Sequence, residues 1–398
     1  MRRDLFDLVM LWLVFFFNFA SLFMYSSILG FFAQELGASD ILVGTIFALS
    51  GMVALISRLP IAALSDRYGL RPFILLGQLL RTFAIIILLF ANEPSILLVS
   101  QFVAGLAGSC FLSNMYSFTA MRFLSKEEGG IKSREAVGYA VTGFPVGGLV
   151  GPALTSAILL VGGTNSQVFT VATLFGFVGF IIGFFVIKGE TRTVIKQTAP
   201  KEKGKGGVRE LFSATFGLVF LAKSASNYGT KGVKASFVPL FANERLGFPK
   251  AEVPLLFTIS NIPSIIARPL AGRFKRSEPT ILALACVLAS ASYVLLIFSG
   301  WGLPSIIWVA MMLNGFADGL FTPTAIAYVA RIVPDAHRAL GMAILSSGLD
   351  VGRAFGAFVS GTIKDLGGGY ETIFLVTALV ALSGVIIKIR SKKTSVVS

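Results

Sequence analysis

Four polar residues inside an otherwise apolar stretch pose the chemical question. Lys223, Asn227, Lys231 and Lys234 recur at intervals of four, four and three. That spacing puts them on one face of an α-helix, with Ser224 and Tyr228 beside them. A cation within a bilayer is costly and is kept where it faces a cavity or a partner. A lysine column, loosened by Gly229 and Gly232, would attract an anion and desolvate it only in part, and Lys231 in its middle is best placed to meet it. Lys234 and Lys223 have a blander option, snorkelling to the outer and inner interfaces. A second set, Asn314, Asp318 and Thr322, repeats every four residues. Asp318 could balance a lysine of the first set while substrate is absent, or carry a proton; a purely structural ion pair is the rival reading.

The other ionisable residues within apolar runs are fewer in kind. Asp350 and Arg353 lie three apart, the spacing of an internal ion pair or a proton carrier with its partner. Arg58 and Arg268 sit about one turn from segment ends, where snorkelling suffices. Arg81 lies deeper and has no evident partner. Asn18, Ser21 and Tyr25 form a modest polar stripe that Gln101 and Tyr116 extend, each alone suited to a helix-to-helix hydrogen bond. Seven basic residues (Arg58, Arg81, Lys223, Lys231, Lys234, Arg268 and Arg353) thus face two acidic ones, Asp318 and Asp350. The excess points to a small organic or phosphorylated anion as substrate.

These residues need a scaffold, and the composition supplies one. The 398 residues are 55% hydrophobic and only 14% charged, against about a quarter charged in soluble domains. About twelve apolar segments recur, at about 8–32, 41–63, 72–91, 94–121, 136–160, 168–188, 211–241, 251–272, 279–299, 304–330, 340–363 and 371–389, each near the length of about 20 residues that crosses a bilayer. The opening MRRDLFDLVMLWLVFFFNF is read as the first span rather than a cleaved leader. The fold expected is all-α, a membrane protein with two six-helix halves, 1–188 and 211–398. Between them runs a basic linker, 189–210, polar and without apolar periodicity. Alternate loops hold nearly all the Lys and Arg outside the spans, including Arg2, Arg67, Arg122, the linker, Arg273, Arg331 and the C-terminal lysines, which places both termini and the linker in the cytoplasm. The net charge of +14 therefore reflects topology, and no nucleic-acid partner is expected. Cys110 and Cys286 fall in apolar runs and read as small packing residues.

The halves also resemble each other. At an offset of 210, Leu36–Gly37 falls on Leu246–Gly247, Arg58 on Arg268 and Gly105 on Gly315. Glycines at four-residue spacing recur in segments 5 and 11, as Gly143, Gly147 and Gly151 and as Gly348, Gly352 and Gly356. Such stripes let membrane helices approach closely.

At this point the sequence resembles the major facilitator superfamily over essentially its whole length. Between segments 2 and 3, ALSDRYGLRP is similar to the family's G-x-x-x-D-R-x-G-R-R motif, with Asp66, Arg67, Gly69 and Arg71 in place and Ala62 and Leu70 departing. The resemblance implies that Asp66, near the start of segment 11 and near Arg122, latches the cytoplasmic side. In segment 5, Gly138, Gly147, Gly151 and Pro152 reproduce the spacing of a motif associated with the family's antiporters, with Thr155 and Ser156 where its last glycines would stand; plain helix packing is the alternative. Where the family often has an arginine in segment 4 this chain has Gln101, and segment 1 offers Asn18 rather than an acid. The family's fold implies segments 1, 4, 7 and 10 lining a central path, rocker-switch alternating access, and sufficiency of a monomer.

The expected function is secondary active transport of a small solute across the cell membrane, the substrate an anion, with proton-coupled multidrug or metabolite efflux as the alternative. A non-transporting sensor of the same fold is a third reading. No cofactor is expected beyond a proton or other ion gradient, and the lipid bilayer is the only macroscopic partner. A nucleotide-driven pump would need GxxxxGK[ST], and the nearest run is the linker's KGKGG. An intramembrane enzyme would need paired acids or a histidine metal set, yet the one histidine, His337, is in a loop expected to be solvated.

Overall fold

The computed structural model describes residues 2–124, 139–187, 214–274, 277–333 and 338–388, and all their regular structure is helical. Gly138, His337 and the linker 189–210 lie outside the described residues. The helices are α1 (Arg2–Ser26), α2 (Leu29–Glu35), α3 (Asp40–Tyr68), α4 (Leu70–Leu89), α5 (Pro94–Leu124), α6 (Gly143–Leu160) and α7 (Asn165–Val186). Then come α8 (Ala214–Asn227), a π turn (Tyr228–Val233), α9 (Lys234–Glu244), α10 (Pro254–Ala271), α11 (Glu278–Gly300), α12 (Ile306–Ile332), α13 (Arg338–Asp365) and α14 (Tyr370–Ser383). Segment 1 is α1 with α2, and segment 7 is α8, the π turn and α9. The other ten segments are one helix each. Ten helical stretches are long and apolar enough to cross a membrane among the described residues. The lysine-bearing seventh segment and α10, which begins at Pro254 and contains Pro263 and Pro269, bring the spans to the expected twelve.

Two compact units divide the chain. The first comprises Met1–Gly37 and Met52–Ala199, and the second Ala38–Gly51 and Pro200–Ser398. In the first, α6 lies along α1 because its glycines bring backbone against backbone. A Cβ on Gly143 would stand 2.6 Å from the Trp12 carbonyl oxygen, on Gly147 2.7 Å from the Ala20 nitrogen and on Gly151 2.5 Å from the Ala20 oxygen. Thr155 Oγ1, in place of a glycine, donates instead to the Met24 carbonyl at 3.1 Å. An aromatic core of Phe15, Phe19 and Phe111 fills the space beside this seam, with Phe144 edge-on to Phe19 at 4.3 Å.

The second unit repeats the device. A Cβ on Gly352 of α13 would stand 2.5 Å from the Ser224 carbonyl oxygen, and Gly356 abuts the Tyr228 carbonyl. Segment 11 therefore packs on segment 7 as segment 5 packs on segment 1, and the matching stripes are seams of the same kind. Gly37 and Gly247 also correspond, ending the first segment of each half at φ +87° and +73°, where a side chain would be strained.

The first half of α3 belongs to the second unit by its contacts. Gly44 and Gly51 set its backbone against Ala357 and Gly361 and against Asp350 and Ala354 of α13. Asp40 at its start meets Lys364 at 3.2 Å. Lys364 also reaches Glu244 and the Tyr370 hydroxyl, both at 2.7 Å. This cluster ties the ends of α9 and α13 to the start of α14.

Candidate functional site

The seventh segment is not a continuous α-helix, and this changes how its lysines are displayed. The π turn, residues 228–233, contains Gly229 and Gly232. Neither position could carry a side chain: a Cβ on Gly229 would fall 2.6 Å from the Tyr293 ring, and one on Gly232 2.7 Å from the Gly356 Cα. The turn inserts extra residues into the helical repeat, as π-bulges do at functional sites, so the four-four-three spacing does not give a single column. Lys223 and Lys231 turn toward α12, whereas Lys234 turns toward α10.

On the α12 side the groups form a chain. Lys231 Nζ lies 3.3 Å from Asp318 Oδ2, Thr322 Oγ1 lies 3.4 Å from Asp318 Oδ1, and Lys223 Nζ donates to Thr322 Oγ1 at 3.0 Å. Lys223 also stands 5.4 Å over the Phe321 ring, a cation–π contact. The pair is enclosed, with side chains 18% and 9% exposed for Lys231 and Asp318. One lysine thus pairs with a carboxylate within a membrane span, and a second is joined to it through a hydroxyl. This arrangement holds charge in place, and an anion could take the place of the carboxylate on Lys231.

Lys234 donates to Ser260 Oγ at 3.1 Å, a neutral partner. Lys223 and Lys234 are both buried, so neither snorkels, contrary to the alternative the sequence allowed. Asn314 donates to Ser292 Oγ at 3.1 Å and ties α12 to α11 rather than joining the lysines. Tyr228 and Asn227 are buried where the segment packs on α13, and Asn227 Oδ1 has no protein partner among the described residues. Asp350 is buried on α13 while Arg353 is partly exposed.

The first unit has its own buried polar set. Arg81 Nη1 approaches the Tyr25 hydroxyl at 3.4 Å, and Gln78 donates to the Gly179 carbonyl at 2.9 Å. Asn18 Oδ1, Gln78 Oε1, Arg81 Nε and Gln101 Nε2 are buried without a protein partner among the described residues. Ser21 holds α1 to α7 through the Ala172 carbonyl at 2.8 Å. Arg58 is buried and donates to Ser113 Oγ at 3.0 Å, so the expected snorkelling is corrected here too. Sequence reasoning singled out neither Gln78 nor the serines Ser113, Ser260 and Ser292, because a lone small polar residue in an apolar run carries no periodic signal.

In the loop motif, Gly69 stands just before α4 at φ +96°, a conformation that favours glycine. Arg71 reaches the Phe184 carbonyl at 3.4 Å and covers its ring, and Arg67 covers Tyr68. Arg122 pairs with Asp7 at 3.0 Å and not with Asp66, which is exposed. The expected Asp66–Arg122 contact is replaced because Asp7 on α1 offers a carboxylate at the foot of α5.

A profile of the Major Facilitator Superfamily matches residues 11–230 and again 219–396. The chain belongs to this superfamily. The superfamily transporter is 23% identical over 352 residues to a protein named Multidrug resistance protein 1 of Bacillus subtilis (strain 168), with 87% of this chain and 86% of that protein covered. It is 25% identical over 255 residues to the probable nitrate/nitrite antiporter NarK1 of Thermus thermophilus, covering 60% of this chain and 54% of that one. Among solved structures, a POT family transporter in complex with a thioalcohol-conjugated peptide superposes with TM-score 0.82 at 16% identity over 97% of this chain and 96% of the other. A nucleoside transporter gives 0.78 at 13% identity over 96% and 98%. At such identities these structures establish the fold alone.

Proposed function

We propose that this multi-pass membrane transporter is a secondary active carrier that moves a small organic or phosphorylated anion by rocker-switch alternating access of its halves, 1–188 and 211–398. One observation carries the reading: Lys231 pairs with the carboxylate of Asp318, to which Lys223 is linked through Thr322, inside the membrane span. An incoming anion would take over Lys231 and release Asp318, so substrate binding and loss of the internal pair become one event. The positive excess among in-span charges supports the same sign of substrate. The loop charges support an orientation with both termini and the linker 189–210 in the cytoplasm, and membership of the superfamily supports a plasma-membrane protein acting as a monomer.

Proton-coupled efflux of drugs or metabolites is the second reading, favoured by the relatives named as multidrug resistance proteins and by the glycine series of α6. In that case Asp318 carries the proton and Lys231 tunes it. A sensor of the same fold would bind ligand without flux.

Thermal unfolding of the purified protein against carboxylates, phosphomonoesters and lipophilic cations separates these readings. A ligand at about a hundred times its dissociation constant stabilises by about 2.7 kcal/mol. Stabilisation by an anion that Lys231→Gln abolishes supports the first reading. Stabilisation by lipophilic cations alone, unaffected by Lys231→Gln, overturns it in favour of the second.

A further inference from the structure

Arg81 is the ionisable group with the weakest account so far. It sits in the middle of α4 and is 6% exposed. Its guanidinium is permanently charged and presents five donors in a planar fork. The protein offers it little: the Tyr25 hydroxyl at 3.4 Å is neutral and distant, and Nε has no partner among the described residues. The carboxylates of the first unit whose side chains are described, Asp7, Glu35, Asp66 and Glu93, lie near helix ends. Asp7 already serves Arg122, and Glu35 accepts from Asn165 at 2.7 Å.

The space beside the guanidinium is open on one side. A Cβ added to Gly108 of α5 would meet nothing within 4 Å except Arg81 Nη2 at 3.9 Å. The register of α4 on α5 is fixed on either side of this point, by Gly77 against Phe111 and by Ser100 Oγ donating to the Ala84 carbonyl at 2.7 Å. A buried fixed charge, a tyrosine hydroxyl and a glycine-made gap are what a planar oxyanion needs: bidentate donors in one plane, a further O–H, and room.

We infer that Arg81, with the Tyr25 hydroxyl and the gap at Gly108 beside it, forms a second anion-binding site, in the first unit, that takes a small planar oxyanion of the carboxylate type. It rests on the anion reading of the transporter, to which it adds a residue and a substrate geometry. The oxyanion accepts two N–H bonds from the guanidinium, and the Tyr25 hydroxyl turns to donate to it.

The test is thermal unfolding of the full-length protein in detergent, titrated with acetate and with nitrate at constant ionic strength made up with chloride. Wild type shows a saturable rise in midpoint with at least one of the two. Arg81→Gln, which removes an uncompensated buried charge, raises the midpoint of the unliganded protein by a few degrees and abolishes the ligand shift. Arg81→Lys, which loses the fork, weakens apparent affinity at least tenfold, and Gly108→Val loses the shift with Arg81 intact. Protection lost in Arg81→Gln but kept in Lys231→Gln supports this site while going against the reading of the seventh segment. Protection lost in both variants overturns the claim that this is a second, separate site. Protection kept in Arg81→Gln and lost in Lys231→Gln overturns this inference alone. No protection of wild type by either probe, or an Arg81→Gln protein that binds normally with a lowered unliganded midpoint, as a structural donor would give, overturns it as well.

Discussion

Replacing Lys231 by glutamine tests whether the pair with Asp318 is held as closely as its geometry implies. At 3.3 Å and an effective dielectric of about 20, the attraction is about 5 kcal/mol, before desolvation is set against it. Removing one partner of an enclosed pair leaves the other charge uncompensated and costs about 3–5 kcal/mol. Asp318 keeps an indirect link to Lys223 through Thr322, so the lower end, about 3 kcal/mol, is expected. Asp318→Asn alone should also destabilise, because it removes the carboxylate that Lys231 meets at 3.3 Å. The double variant Lys231→Gln with Asp318→Asn should recover most of the loss. Unfolding midpoints of the four proteins, analysed as a double-mutant cycle, should give a coupling above about 2 kcal/mol. A coupling below about 0.5 kcal/mol, the value for solvent-exposed pairs, would refute the enclosed pair and the charge-exchange scheme built on it.

Three further outcomes follow from the same geometry. Lys234→Met should hold or raise the melting temperature, because the buried ammonium has a hydroxyl, Ser260, as its partner and desolvation of the charge is then poorly offset. Gly352→Leu should lower it strongly, or prevent accumulation of folded protein, since the added side chain meets the Ser224 backbone at its first carbon and overpacking costs about 1–3 kcal/mol or more; size-exclusion profiles in detergent read this directly. Gly69→Ala should cost about 1–3 kcal/mol through backbone strain alone, because a Cβ there meets nothing within 4 Å, and the variant should stay folded with a lowered midpoint.

Much of this fold was legible because membrane spans announce themselves by length. Ten of the twelve segments became single helices close to the ranges read from hydropathy, and the two glycine stripes became the two seams. The seventh segment was legible as a charged face but not as a broken helix. A π turn arises from close approach of Tyr293 and α13 to Gly229 and Gly232, which is tertiary information that helical periodicity cannot carry. For the same reason the lysines were taken as one column, whereas Lys234 goes to Ser260 on α10. Lys223 and Arg58, whose positions permitted snorkelling, are instead buried on the hydroxyls of Thr322 and Ser113. That Asp318 could balance a lysine of the seventh segment was read from sign and depth, the two properties a sequence does display, but which lysine it meets was not. Arg122 was assigned to Asp66 by resemblance to a motif, and its actual partner Asp7 lies at the start of a helix whose end that reasoning had not considered.

The central claim is that an anion replaces Asp318 at Lys231 during transport. Counterflow into proteoliposomes preloaded with unlabelled carboxylates or phosphomonoesters, with the matching labelled compound outside, tests it most directly. The account predicts saturable accumulation in wild type for at least one anion, lost in Lys231→Gln although that protein still reconstitutes. Accumulation of anions that survives Lys231→Gln unchanged, or accumulation of lipophilic cations with no anion moved, would contradict it.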